Sequence, residues 1–204
     1  MFLLPNLLLN RRRGFVVLLF LTLIFPTTAI AAPKDQSRWD KYYDIEEFLF
    51  GTKPIRFLKE NIHLFPKGKA LDLAMGEGRN GVYLATQGFD VLGLDISPLG
   101  LKKAHKLAEH HNVRIKTQVV DLEEYQLEKN AYDVIICTYY MQRDLFEQIK
   151  ESIKPGGMVL IETYNVDYLR YASFSKKYLL EHNELLEVFK DFKTIRYQAY
   201  DDGT

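Results

Sequence analysis

Residues 69–88, with the sequence KALDLAMGEGRNGVYLATQG, decide the fold of this 204-residue chain. The apolar run Ala70–Ala74 predicts a buried strand, and a helix is expected to open near Arg79. Gly76 and Gly78 lie between them, where glycine lets a ligand approach bare backbone. The start of a helix also offers unpaired N–H groups and positive potential. The junction therefore predicts a nucleotide-type binding site.

The first 31 residues have the pattern of a secretory signal peptide. Three arginines at 11–13 precede an apolar run at 15–25, and Ala29–Ala31 supplies an A-x-A cleavage site. We expect cleavage after Ala31. The alternative is an uncleaved membrane anchor at residues 15–32.

The signal peptide predicts that residues 32–204 form an exported domain, in the periplasm or another extracytoplasmic space. A twin-arginine pattern at residues 12–16 leaves the export route open. Without the signal peptide, 24 basic residues face 27 acidic ones, a net charge of −3. Such a surface gives no reason to expect binding to nucleic acid, or to a membrane beyond the signal peptide. The length suits one domain.

Cysteine and histidine usage excludes two kinds of site. The one cysteine, Cys137, lies in the apolar run VIICTYY, so we expect a buried thiol and no internal disulfide. No cysteines and histidines have the spacing of metal ligands. We therefore expect no metal site.

Apolar strands alternate with amphipathic helices along the rest of the domain. The predicted strands are residues 70–74, 90–94, 115–120, 132–138, 158–163 and 194–200. The predicted helices are residues 54–64, 79–87, 98–111, 144–153 and 176–189, after an aromatic-rich helix or cap at 37–50. Ser97 is the expected N-cap of one helix, Gly88 the C-cap of another, and residues 154–157 a turn. The alternation predicts an α/β fold, a doubly wound, mostly parallel Rossmann-like sheet with helices on both faces. Such sheets bind ligands at the carboxyl ends of their strands.

Two enzyme classes compete for the site. Gly76-x-Gly78-x-x-Gly81 fits the dinucleotide fingerprint, and Asp95 follows Gly76 by 19 residues, where a ribose-binding acid belongs. Asp72 favours a different ligand, because a pyrophosphate beside this carboxylate would be repelled. S-adenosylmethionine carries positive charge on its sulfonium and its amino group, so the same carboxylate would attract it.

Five strings carry a resemblance to a known family. They are LDLAMGEGRN, VLGLDIS, VVDLEEY, YDVIICTYYMQRDLF and KPGGMVLIETYN. Residues 39–200 resemble a class I S-adenosylmethionine-dependent methyltransferase, and are similar to the tellurite-resistance and thiopurine-type small-molecule methyltransferases. Many relatives carry Gly-Cys where this chain has Ala74-Met75, and alanine is small enough to keep the backbone approach nearly open.

The resemblance implies a role for residues at each strand end. The cofactor-binding residues that it implies are Asp72, Ala74, Gly76, Gly78, Arg79, Asn80, Asp95, Ile96, Asp121, Leu122 and Thr138. Asp95 would accept from the ribose hydroxyls and Asp121 from the adenine amino group. The residues that would face the methyl group and its acceptor are Tyr139, Tyr140, Arg143 and Tyr164, with Tyr42 and Tyr43 as a lid. A single aspartate at a strand end often only caps the next element, but three of them with the glycines favour binding.

The implied activity is methyl transfer from S-adenosylmethionine to a small-molecule acceptor, such as a thiol or a chalcogen oxyanion. The alternatives are an NAD(P)-binding oxidoreductase and a non-catalytic S-adenosylmethionine-binding protein. Class I enzymes end with an antiparallel strand, and only residues 201–204 follow the strand predicted at 194–200. We expect either a truncated product or a sheet without that strand, and an open edge prone to oligomerisation.

Overall fold

The computed structural model describes residues 34–200. The predicted signal peptide and residues 201–204 lie outside the described residues, so export, cleavage and anchoring stay predictions. The strands are β1 Lys69–Leu73, β2 Asp90–Asp95, β3 Lys116–Val119, β4 Tyr132–Thr138 and β5 Ile153–Glu162. The helices are α1 Lys34–Tyr43, α2 Arg56–Asn61, α3 Arg79–Thr86, α4 Pro98–His110, α5 Leu145–Ser152 and α6 Glu184–Val188. Short 3-10 turns span Ile62–Leu64, Val166–Arg170 and Lys176–Tyr178. Within this part of the chain, no helix is long and apolar enough to cross a membrane.

The five strands form one parallel sheet in the order β3-β2-β1-β4-β5. Strand β1 is central, and its side chains are buried on both faces. Ala70 packs with α2, α3 and α4 on one face. Leu71 and Leu73 pack with α5 on the other face. The prediction of a doubly wound parallel sheet with helices on both faces is confirmed.

The strand register brings four strand ends to one edge of the sheet. Leu73 lies opposite Leu94 on one side and Cys137 on the other. Asp95 lies opposite Val119. Because all these strands run the same way, the chain leaves β1, β2, β3 and β4 at the same edge.

Local sequence signals set two of the helix ends as predicted. Ser97 Oγ accepts a hydrogen bond from the Gly100 N–H at 3.0 Å, and Pro98 occupies the first position of α4. Gly88, with φ of +86°, ends the turn after α3. A hydroxyl N-cap and a left-handed glycine satisfy backbone groups that helix ends leave unpaired.

Two predicted elements near the end of the described chain are wrong. The helix predicted at 176–189 is reduced to the 3-10 turn Lys176–Tyr178 and the short α6. Leu180 prevents a longer helix because its N–H donates to the Tyr164 carbonyl and its carbonyl accepts from the Val166 N–H. The strand predicted at 194–200 is also wrong, because these residues are exposed and form no ladder with the sheet.

The start of β5 also differs from the prediction. Residues 154–157 form an irregularity inside the strand, since Tyr132 pairs with Ile153 and Val134 with Met158. The strand therefore begins five residues before the predicted Met158.

Asp133 ties together the starts of three strands. Its Oδ2 accepts from the Lys69 N–H at 2.8 Å and from Lys154 Nζ at 2.9 Å. The Lys69 N–H, followed by Lys154, holds the pKa of this carboxyl below its ordinary value. The stability that Asp133 contributes is therefore present above pH 3.8 and is lost as pH falls through the folded pKa.

We predict that Asp133→Asn lowers the free energy of unfolding by about 1 kcal/mol at neutral pH. The difference from the wild type should shrink as pH falls below 3.8 and vanish once pH lies below the folded pKa, where Asp133 is protonated in both states. Urea unfolding across this pH range measures it, with Glu151→Gln in the exposed Lys129–Glu151 pair as the control. A deficit that persists unchanged in acid would contradict the assignment.

Candidate functional site

The turn after β1 has a left-handed backbone at three positions. Ala74, Gly76 and Gly78 have φ of +53°, +56° and +87°. Glycine adopts this conformation freely, whereas an alanine there costs roughly 1–2 kcal/mol. Gly78 is the N-cap residue of α3, so the turn leads directly into the helix N-terminus. The predicted strand–turn–helix junction is therefore present, with one strained residue in it.

Met75 points away from the turn and into the core. An added Cβ on Gly81 would lie 2.3 Å from Met75 Cε, and one on Gly93 would lie 2.0 Å from Met75 Sδ. Gly81, the third glycine of the fingerprint, therefore makes room for packing between α3 and the sheet.

Asp72 is the most unusual group of the site. Its side chain is 1% exposed, and its Oδ2 has no hydrogen-bond partner among residues 34–200. Burial raises the pKa of Asp72 to about 8, and the Gly81 backbone N–H opposes this only in part. A buried oxygen without a partner costs free energy, so it favours a ligand that brings a donor or a positive charge.

Asp95 joins the glycine turn to the end of β2. Its Oδ2 accepts from the Gly76 N–H at 2.7 Å and its Oδ1 from the Ser97 N–H at 2.8 Å. Burial, the largest influence, raises the pKa of this carboxyl above its ordinary value. Each carboxylate oxygen has a further lone pair, so Asp95 can still accept from a ligand hydroxyl. Ile96, between Asp95 and Ser97, is partly buried.

Asp121 lies at the end of β3, as predicted, and also caps the turn that follows. Its Oδ1 accepts from the Glu123 N–H at 3.0 Å, and its carbonyl accepts from the Tyr125 N–H at 2.9 Å. Leu122 is buried, and its carbonyl accepts from Gln142 Nε2. Asp121 therefore has the capping role that the sequence left open for a single aspartate, and its ligand-binding role stays a prediction.

Asn80 and Arg79 connect the site to its surroundings. Asn80 is buried, accepts from the Ile55 N–H at 2.9 Å and donates to Thr138 Oγ1 at 2.9 Å. Arg79 donates to the Phe50 carbonyl, and its guanidinium lies 5.5 Å from the centre of the Tyr139 ring. These bonds hold the start of α3 against the end of β4.

Aromatic rings follow β4 and β5 at the same edge. Tyr139 has φ of +56°, and its hydroxyl donates to Glu162 Oε1 at 2.9 Å. Its ring lies 5.2 Å from that of Tyr164, which stacks on Tyr168 at 4.3 Å. A cavity of about 1090 Å³ runs beside β5 and includes these three rings in its wall. Its size suits an organic ligand.

Tyr140 and Arg143 are also engaged by other groups. The Tyr140 hydroxyl donates to Gln142 Oε1 at 2.8 Å. Arg143 makes two hydrogen bonds to the Glu184 carboxylate and donates to the carbonyls of Lys177 and Leu179. In the structure, Arg143 thus holds the segment at 177–184 in place.

One pair of charged residues at the site escaped the sequence reasoning. Glu77 and Lys103 are 4% and 7% exposed, and Lys103 Nζ lies 2.6 Å from Glu77 Oε1. An acidic residue between two glycines was visible as a signal, but nothing in the sequence pairs it with Lys103. Tyr43, predicted as a lid residue, is buried, with its hydroxyl against Gly76. Its neighbour Tyr42 is exposed.

Comparison with known proteins relates this site to one family. Residues 39–202 match the family described as tellurite resistance protein TehB. The chain is 30% identical over 140 residues to a probable S-adenosyl-L-methionine-dependent methyltransferase TehB of Haemophilus influenzae, covering 63% of this chain and 47% of that protein. It is 27% identical over 168 residues to phosphoethanolamine N-methyltransferase 2 of Caenorhabditis elegans, covering 74% and 38%. The chain thus spans about half the length of these curated relatives, or less.

A solved structure supports the fold. The crystal structure of TehB from Haemophilus influenzae superimposes with a TM-score of 0.62 at 23% identity, covering 80% of this chain and 57% of that one. This likeness concerns the course of the backbone.

The raised pKa of Asp72 predicts an unusual pH dependence of stability. The unfolded carboxyl ionises near pH 3.8 and the folded one near pH 8, so stability should fall as pH rises between these values. Asp72→Asn should remove this decline, which amounts to up to roughly 5 kcal/mol. Urea unfolding at several pH values measures it, with Asp90→Asn in the exposed Lys116–Asp90 pair as the control. Parallel pH profiles for wild type and Asp72→Asn would contradict the assignment.

Proposed function

The chain belongs to the TehB family, and on that premise we propose that it is an S-adenosylmethionine-dependent methyltransferase acting on a small-molecule acceptor. The observation that carries the proposal is the buried, unpartnered Asp72 oxygen beside a turn built of Ala74, Gly76 and Gly78. A cationic ligand lying on this turn would supply the positive charge that pairs with the Asp72 carboxylate.

The residues at the strand ends fit the cofactor. Asp72 would attract its ammonium group, and Asp95, which keeps free lone pairs, would accept from its ribose hydroxyls. Asp121 and the Leu122 N–H would hold the adenine, with Ile96 packing on the ring. The same arrangement fits NAD(P) poorly, because the pyrophosphate would lie near buried acids.

The methyl-transfer chemistry needs alignment more than acid–base groups. When bound, the cofactor supplies an electrophilic methyl group on a sulfonium, which becomes a neutral thioether as the methyl leaves. The acceptor uses its own lone pair to form the new bond to the methyl carbon. The chain contributes by orienting both molecules at the sheet edge, where the rings of Tyr139 and Tyr164 lie.

The tyrosines at this edge favour an acceptor that needs no strong base. Burial, reinforced by nearby acidic groups, raises the pKa of Tyr139 and of Tyr140 above that of an ordinary tyrosine. Both therefore stay protonated at neutral pH and donate hydrogen bonds instead of removing protons. A thiol, which ionises readily and loses its proton to water, fits such a site, as does a reduced chalcogen species that carries a lone pair.

The cavity beside β5 is the proposed acceptor site. Its wall includes Tyr139, Glu162, Tyr164 and Tyr168, so it reaches the edge of the sheet where β4 and β5 end. An acceptor in this part of the cavity would lie next to Thr138 and Arg79, which border the proposed cofactor site.

We predict that S-adenosylhomocysteine binds the purified protein in calorimetric titration and that NAD does not. With methyl-labelled cofactor, label should pass to a thiol, selenite or tellurite. Tyr164→Ala should lower acceptor turnover by roughly tenfold while changing cofactor affinity little, with Tyr178→Ala, an equally exposed tyrosine that does not line the cavity, as the matched control.

The outcomes separate the alternatives. Binding of NAD instead of S-adenosylhomocysteine would favour an oxidoreductase. Tight binding of S-adenosylhomocysteine with no transfer to any acceptor would favour a non-catalytic binding protein.

A further inference from the structure

Residues 34–51, which comprise α1 and the segment after it, form a cover on the glycine turn. Tyr43 lies at its centre: an added Cβ on Gly76 would be 2.7 Å from its hydroxyl oxygen, and one on Gly100 would be 3.0 Å from its ring. Trp39 stacks on Tyr43 with ring centres 5.7 Å apart. The cover thus contacts both the turn and the start of α4.

The Glu77–Lys103 pair binds the cover through its backbone. The two carboxylate oxygens of Glu77 accept from the N–H groups of Leu49 and Phe50, at 3.1 and 3.2 Å. Lys103 Nζ donates to the carbonyls of Ile45 and Glu47. Four backbone groups of the cover therefore depend on one buried ion pair.

Two more contacts attach the cover to the same elements. Asp40 Oδ1 accepts from Ser97 Oγ at 2.5 Å, two residues after Asp95. Arg79 donates to the Phe50 carbonyl at 3.1 Å. These hydrogen bonds thus end on the glycine turn, on Ser97, or on the first two turns of α3 and α4, which are the elements that would hold the cofactor.

A buried ion pair suits a contact that must open and close. Its attraction is largely offset by the loss of hydration of both charges, so it adds little net stability but requires one geometry. When the cover opens, both charges regain water, and the closed state need not be strongly favoured.

We propose that Glu77 and Lys103 are positioning residues that latch the cover over the cofactor site, so that the latch sets how fast the cofactor leaves. The proposal rests on the proposed function. Neither residue touches the reacting atoms; each acts through the segment 45–50 and through Tyr43.

The test is the dissociation rate of S-adenosylhomocysteine, followed by stopped-flow fluorescence of Trp39, the single tryptophan of the chain. The double variant Glu77→Gln/Lys103→Met removes both charges without leaving one unpaired. We expect it to release the probe roughly tenfold faster than wild type. The single variant Lys103→Arg keeps the charge, so it should release the probe more slowly than the double variant does. The double variant Glu151→Gln/Lys129→Met removes an exposed ion pair as the matched control and should behave as wild type.

Hydrogen exchange of the wild-type protein gives a second readout that does not depend on the folding of a variant. The probe should slow exchange at the Leu49 and Phe50 amides by roughly tenfold or more. If the probe binds, but the double variant Glu77→Gln/Lys103→Met releases it at the wild-type rate and the probe does not slow exchange at Leu49 and Phe50, the latch is refuted and the proposed function stands. If the probe does not bind the wild type at all, both fall together.

Discussion

Burial of a carboxyl group in the central strand is the constraint on which the site depends. Asp72 lies on β1, between two parallel neighbours, where water does not reach it and Oδ2 has no partner within residues 34–200. A chain gains no stability from such a group in the absence of a ligand. The glycine turn, with the strained Ala74, and the start of α3 lie beside Asp72. On the proposed function, binding of a cationic ligand on this turn would offset the free energy that burial of the Asp72 carboxyl costs.

Acidic side chains predominate among the buried charged residues around the glycine turn. Asp72, Glu77 and Asp95 are all nearly fully buried there, and Glu77 forms an ion pair with Lys103. The ionised forms of the other two acids, Asp72 and Asp95, would attract a cation and repel a pyrophosphate. This distinguishes the site from a dinucleotide site with the same glycine spacing, and it agrees with membership of the TehB family.

Sequence reasoning identified the parts of the fold that are fixed locally. The strands β1, β2 and β4 are short and mostly apolar segments, and Ser97 and Gly88 mark helix ends by their own chemistry. Reasoning failed at residues 176–189, where a bridge between Asn165 and Leu180 overrides the helical pattern, and at residues 194–200, which are exposed and form no ladder. It also missed the Glu77–Lys103 pair, because contacts between distant residues leave no local pattern. Asp121 shows a third case, in which one side chain fits both a cap and a ligand-binding role.

The most direct test of the account is the proton balance of cofactor binding. If Asp72 is protonated in the free protein and pairs with the ammonium group of S-adenosylhomocysteine, binding must release a proton. Calorimetry at about pH 6.5, in buffers of different ionisation enthalpy, should show that binding of S-adenosylhomocysteine releases about one proton from the wild type and none from Asp72→Asn. Binding without proton release by the wild type, or equal affinity of the two proteins, would contradict the assignment of Asp72 as the partner of a cationic ligand.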